Sequence, residues 1–301
     1  MFKRLLVPLD GSHLAEAALP AAAYLAQNLG MSVTLVHIIE HNAPHAVHGD
    51  RHLTNAEEAH TYLDEVAQRA FPPTIPVERH VHTTEVTDVP RGIVDHVHEL
   101  APDLLVMCTH GEGGLHDLLF GSIAQRVVSH GTIPVLLIQP EDRVELQPFA
   151  CHNLLVPLDG LGVHDEGLKV ATELAKGCSA EMYLLVVIPT MGTLSGNQAA
   201  TGRLLPGATR AILEMACIEA DTYLSDRVAR LQREGLTVKA ELKRGDPADM
   251  VFETSEGDTV VDMIVLGTHG TAGFDAFYSG AIAPKIVSRS RVPLLLVPVS
   301  S

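Results

Sequence analysis

Short apolar runs recur along the chain, separated by longer amphipathic stretches. In the first half the runs cover residues 5–9, 33–39, 77–82, 104–109 and 135–138. In the second half they cover 154–158, 182–188, 237–242, 263–267 and 294–297. Runs of this length, rich in Leu, Ile and Val and bounded by turn residues, predict buried strands. Helices are predicted between them, over 14–29, 56–70, 90–100 and 123–129, with a longer one over 208–234. Aliphatic strands alternating with helices predict an α/β fold, its parallel sheet covered on both faces.

The pattern is duplicated, in the same order. RLLVPLDGS (4–12) returns as NLLVPLDGL (153–161), DLLVMCTHG (103–111) as DMIVLGTHG (262–270), and IPVLLIQP (133–140) as VPLLLVPV (292–299). Such a repeat predicts two tandem domains, 1–141 and 153–301, each with a five-stranded parallel sheet flanked by helices. The segment 142–152 between them is charged and Pro-containing, as suits a linker.

Ligands of such sheets sit beyond the carboxyl ends of the strands, at a topological switch point. Three signals fall at such ends in the first half. They are Pro8-Leu9-Asp10 after the first strand, His37-Ile38 at the end of the second, and Thr109-His110-Gly111 after the fourth. Together they predict a nucleotide-sized pocket.

Pro-x-Asp, Val-His-Ile, Thr-His-Gly, nine residues, Gly-Ser and a closing Pro-Val-Leu-Leu-Ile, in that order, resemble the universal stress protein family in its tandem form. The resemblance covers nearly the whole chain, twice. It implies two Rossmann-like, HUP-type domains and a stress-response regulator that binds ATP, with Mg, through the Gly-rich loop after the fourth strand. Carried over by motif, Pro8, Leu9, Asp10 and Ile38 would hold adenosine. Cys108, Gly111, Gly121, Ser122 and Ile123 would line the phosphate loop. The second half offers Pro157, Leu158, Asp159 and Val187, then Gly267, Gly270 and Gly280. Side-by-side pairing of the closing strands, a homodimer and cytoplasmic localisation are also implied.

Each half departs once from the family pattern. Cys108 replaces the leading Gly of the first loop, bringing a Cβ and a thiol to a position where the resemblance implies close approach of the backbone to the ligand. Ala281 replaces the closing Ser of the second, removing a hydroxyl donor. A hydrogen bond to a charged group is worth about 1.5–3 kcal/mol. Ser122 to Gln125 reads as a capping box, whereas the counterpart Ala281-Ile-Ala-Pro284 lacks the hydroxyl and one N–H. The first half is therefore expected to hold phosphate better.

Charge and composition narrow the partners. The formal net charge of −16 argues against duplex DNA, whose binding is driven by Lys and Arg. A helix N-terminus still holds phosphate without basic side chains. No apolar run reaches membrane-spanning length, and the apolar run of MFKRLLVPLD stops at Asp10, too early for a signal peptide. The four Cys include no CxxC pair, consistent with a reducing compartment. The partner the resemblance implies is an adenine nucleotide, and charge and hydropathy lead to the expectation of no nucleic acid and no membrane.

Of the 17 His, most lie in the first half. His41, His45, His48 and His52 have helical spacing, but Pro44 and Gly49 interrupt them, so a solvated loop is expected and no metal is assigned. His80 with His82, and His96 with His98, alternate on short elements without a third ligand nearby in sequence. No nucleophile–base–orienter set is visible, so slow ATP hydrolysis is the most expected of it as an enzyme. The His-x-Gly-His of nucleotidyl transferases is absent from PLDGSHLAEAAL. Two alternatives stay open: a nucleotide-free, partner-binding tandem protein with degenerate sites, and a His-dependent metal binder.

Overall fold

The computed structural model describes residues 2–41, 46–47, 50–109, 122–130, 132–140, 148–162, 165–194, 196–257, 260–269, 285–286 and 289–299. The chain divides into two compact units. The first is Met1–Ala150 with Pro293–Pro298, the second Cys151–Val292 with Val299–Ser301.

The first unit runs β1 (Arg4–Pro8), α1 (His13–Glu16), α2 (Leu19–Leu29), β2 (Ser32–Glu40), β3 (Ala46–Val47), β4 (Asp50–Arg51), α3 (Ala56–Ala70), β5 (Val77–Val86), α4 (Val89–Leu100), β6 (Leu104–Cys108), α5 (Ser122–His130) and β7 (Val135–Ile138). Its parallel strands lie in the order β7-β6-β1-β2-β5. Local chemistry sets the helix starts. Ser12 caps α1 by accepting from Ala15 N at 3.2 Å, and Asn55 caps α3 by accepting from Glu58 N at 2.9 Å. Asp88 caps α4, with Pro90 in its first turn.

The core is aliphatic. Leu5, Leu6, Leu35, Leu104, Leu105 and Leu136 are fully enclosed, as a sheet covered on both faces requires. β5 extends four residues beyond the predicted run, to Val86. It is the outer strand of the order, and its largely exposed residues blunt the apolar signal.

The second unit runs β8 (Asn153–Leu158), α6 (Glu166–Cys178), β9 (Glu181–Ile188), α7 (Gly196–Leu204), α8 (Pro206–Arg233), β10 (Val238–Arg244), α9 (Pro247–Ser255) and β11 (Met263–His269). Its strands are parallel, in the order β10-β9-β8-β11. The predicted long helix is α8, opening at Pro206. α7 was not legible, because GNQAATGRL offers no apolar stripe. The closing strand β12 (Leu294–Val299) carries Pro293–Pro298 into the first unit. There it pairs antiparallel with β7, through Leu294↔Leu137, Leu295↔Leu136 and Leu296↔Val135.

One repeated acid is structural. Asp103 Oδ2 accepts from the N–H groups of Lys3 and Arg4 at 2.8 and 2.9 Å. Asp262 Oδ2 accepts from His152 and Asn153 N–H, both at 2.8 Å. Both bind the amino ends of the central strands, opposite the carboxyl ends where ligands of such sheets sit.

Candidate functional site

β1 lies between β2 and β6, so the chain leaves it to one side of the sheet and returns on the other. The crevice of a doubly wound sheet opens at this point. Pro8, Leu9 and Asp10 occupy its β1 side. Leu9 N donates to Val36 O at 2.9 Å, which carries the strand pairing one residue beyond β1. Asp10 Oδ1 then accepts from Ser12 N at 2.9 Å and Ser12 Oγ at 2.6 Å. This tight turn passes through Gly11 at φ +93°, a left-handed conformation that suits glycine.

A second segment clamps the turn. Asp50 accepts from His13 N at 2.9 Å and faces His13 Nδ1 at 3.1 Å. Leu53 packs so closely on Gly11 that a Cβ there would meet Leu53 Cγ at 2.9 Å. Ile38, the other expected adenosine contact, is buried at the end of β2 and lies against Gly92 of α4.

The side chain of Cys108 turns toward α1. Its Sγ donates to Leu14 O at 2.9 Å, with Ala15 O at 3.5 Å. Burial, then the charge of Asp10, pushes the thiol up to about 12, with an opposing hydrogen bond from the Ala18 backbone. Cys108 is therefore a neutral hydrogen-bonded thiol and not a reactive thiolate. The second unit explains the leading glycine. A Cβ on Gly167 would lie 3.0 Å from Gly267 N and 3.4 Å from Gly267 Cα. Gly167 corresponds to Ala18 by its spacing from the strand-end Asp, and Gly267 to Cys108 because each precedes Thr-His-Gly. The close approach of helix and strand at this position thus requires glycine at 167, where a Cβ would press on the Gly267 backbone.

The second site is looser. Asp159 is exposed, and its Oδ1 accepts from Leu161 N at 2.7 Å. Leu158, Pro157 and Val187 are half-buried, whereas Leu9 is enclosed. Gly111, Gly121, Gly270 and Gly280 lie outside the described residues, as does the side chain of Ser122. α5 does begin at Ser122, and Ile123 is 38% exposed.

Sequence reasoning missed a buried ionic cluster beside the second site. Asp165, at the start of α6, accepts from Arg227 Nε at 2.7 Å and from the Tyr223 hydroxyl. The guanidinium also lies over the Tyr223 ring, 4.6 Å from its centroid. Burial, then Asp165, pushes the Tyr223 phenol up. No local motif marks this cluster, because α8 delivers both partners across the fold. The first unit has a relative of it, where Arg69 Nη2 meets the enclosed Glu16 at 2.8 Å.

His37 is also buried. Its Nδ1 donates to Leu9 O at 2.8 Å, and Nε2 lies 3.4 Å from Leu53 O. Burial lowers its pKa below 6.5; the nearby His52 also lowers it, while the two carbonyls and Asp10 oppose the shift. Below about pH 6.5 the unfolded chain takes up a proton that folded His37 refuses, so stability falls as pH falls. The unfolding midpoint in urea should therefore drop between about pH 7 and 5, and His37→Gln should flatten part of that drop. An identical slope in wild type and variant would remove His37 as its source.

The four histidines of the interrupted stretch do not come together among the described residues. His41 Nδ1 pairs with Glu85 at 2.5 Å, and His52 is buried with Nδ1 lacking a hydrogen-bond partner. His45 and His48 lie outside the described residues. A different trio does converge: His80 and His82 of β5 with His96 of α4. Strand alternation placed two of them on one face, but only the packing of α4 against the sheet supplied the third.

The sequence profile described as the Universal stress protein family matches residues 1–139 and again 151–298. A universal stress protein of Mycobacterium tuberculosis is 24% identical over 314 residues, covering 97% of this chain and 95% of that one. One from Methanocaldococcus jannaschii is 26% identical over 145 residues, 48% of this chain and 81% of its own. In fold, the chain resembles a universal stress protein from Archaeoglobus fulgidus at TM-score 0.67, with 17% identity and coverage of 99% and 97% of the two chains. With the profile matched once in each half, the chain belongs to the universal stress protein family.

Proposed function

We propose that this protein is a stress-response regulator that binds an adenine nucleotide, ATP with Mg, at the carboxyl ends of the first unit's central strands. The observation that carries the reading is the built turn at Asp10. Its carboxylate is oriented by Ser12 at the switch point, and the turn is held from outside by Asp50 on His13 and Leu53 on Gly11. Asp10 would take the ribose hydroxyls, Pro8, Leu9 and Ile38 the adenosine, and the loop ending at Ser122 and Ile123 the phosphates. The second unit offers the same positions with an exposed Asp159, which supports unequal sites. Domains over 1–141 and 153–301, a cytoplasmic setting and a homodimer belong to the same reading.

Purified protein is denatured and its supernatant assayed for ATP, ADP and AMP, and Mg-ATP binding is then titrated. Removing a carboxylate hydrogen bond worth about 1.5–3 kcal/mol should weaken binding by roughly ten- to 150-fold in Asp10→Ala. Asp159→Ala should change the tighter site little. No co-purified nucleotide together with no binding of added Mg-ATP would refute the reading.

One observation favours the nucleotide-free, partner-binding alternative. Leu205, Ile212, Met215 and Ile218, at the start of α8 and along it, are 58–68% exposed. Exposed apolar residues grouped this way suit an interaction surface. Concentration-dependent self-association without bound nucleotide would support this alternative.

A further inference from the structure

We propose that His80, His82 and His96 form a binding site for a divalent transition-metal ion, best suited to zinc. The site lies in the first unit and is independent of the nucleotide reading. His80 and His82 are two residues apart on β5, so they share a face of the outer strand. α4 brings buried His96 against that face. One ring nitrogen from each lies within 4.8 Å of the others. His80 Nε2 and His96 Nε2 are 3.0 Å apart, and the His82 ring stands edge-on to His96 at 4.9 Å between centroids.

Proton placement favours an ion. His96 Nδ1 lies 2.6 Å from Gly92 O, and a carbonyl only accepts. Nδ1 therefore carries the hydrogen, and neutral His96 presents a lone pair at Nε2. Metal-binding imidazoles are held in this way, by a backbone carbonyl on the far nitrogen. Facing that lone pair at 3.0 Å, His80 Nε2 must donate a proton when no ion is bound. A metal ion replaces this proton, and His80 takes its other tautomer. With Zn–N bonds of about 2.0–2.1 Å, two ligands of a tetrahedral ion stand about 3.3 Å apart, so the pair needs only a slight opening. Three imidazoles suit zinc, copper or nickel and leave a fourth position for water. The carboxylate of Glu99 acts on His80, as does the imidazole of His60 from α3. Glu99 would offset part of the ion's charge. The ion would fasten β5 to α4, whose Gly92 packs on Ile38.

The test uses the full chain, stripped of metal and titrated calorimetrically with zinc chloride. Cobalt(II) absorption then reports the geometry. One equivalent of zinc should bind and raise the unfolding midpoint. His80→Gln and His82→Gln should each weaken binding by roughly ten-fold or more. His98→Gln, at an exposed position on the same helix, should bind like wild type. The tested variants avoid buried His96, and circular dichroism confirms their fold. Absence of saturable zinc binding by wild type would overturn the proposal. So would full binding by the His80→Gln/His82→Gln double variant, with loss instead in His41→Gln/His45→Gln/His48→Gln.

Discussion

Arg227→Ala should lower the unfolding free energy of the second unit by about 3–5 kcal/mol, the usual cost of removing one partner from a buried ion pair. The side chains of Asp165 and Arg227 are 8% and 17% exposed, so water does little to replace the lost partner. Arg227 also covers Tyr223 and lies against Gly162, where a Cβ would meet Nη2 at 2.7 Å. The deletion therefore strands a carboxylate and opens a gap. Asp165→Asn in the same background removes the stranded charge and keeps an acceptor for Tyr223, and should recover more than half of the loss. Arg69→Ala, in the related pair of the first unit, should cost less, because Arg69 is 56% exposed. Urea titrations of the four proteins measure all of this. A loss below about 1 kcal/mol for Arg227→Ala would place the pair among weak surface bridges.

Gly11→Ala should be the costlier of two matched changes. Gly11 and Gly160 occupy the same turn in the two units, at φ +93° and +80°. A left-handed alanine costs about 1–2 kcal/mol wherever it sits. At Gly160 nothing lies within 4 Å of the added Cβ, so Gly160→Ala should stop there. At Gly11 the methyl meets Leu53 Cγ and Cδ1, both at 2.9 Å, and overpacking adds about 1–3 kcal/mol. The expected total is about 2–5 kcal/mol, measured by denaturant unfolding. On the proposed nucleotide reading, Gly11→Ala should also weaken Mg-ATP binding, because the turn that aims Asp10 is displaced. Equal costs at the two glycines would mean that Leu53 does not press on the turn.

The two unequal loops take on a different sense beside this geometry. CTHGEGGLHDLLFGS keeps Ser122, and its Cys108 is accommodated by donating to α1 carbonyls where Ala18 approaches. GTHGTAGFDAFYSGA keeps Gly267, and a Cβ on Gly167 of the facing helix would meet its backbone N at 3.0 Å. At this position the two units also differ in one helix–strand contact, a thiol on carbonyls in the first and backbone on backbone in the second.

Periodicity alone predicted the strand and helix alternation, because a parallel strand buried on both faces must be almost wholly aliphatic. The repeat placed Asp10 and Asp159 at matching strand ends, since turn residues are read from neighbours in the chain. Both readings depend on short-range order. The direction of the Cys108 thiol, the burial of Asp165 with Arg227, the pressure of Leu53 on Gly11 and the meeting of His80, His82 and His96 depend on residues dozens of positions apart. Only tertiary packing decided them, because a side chain's charge, tautomer and ligand geometry are set by what the fold brings within a few ångströms of it.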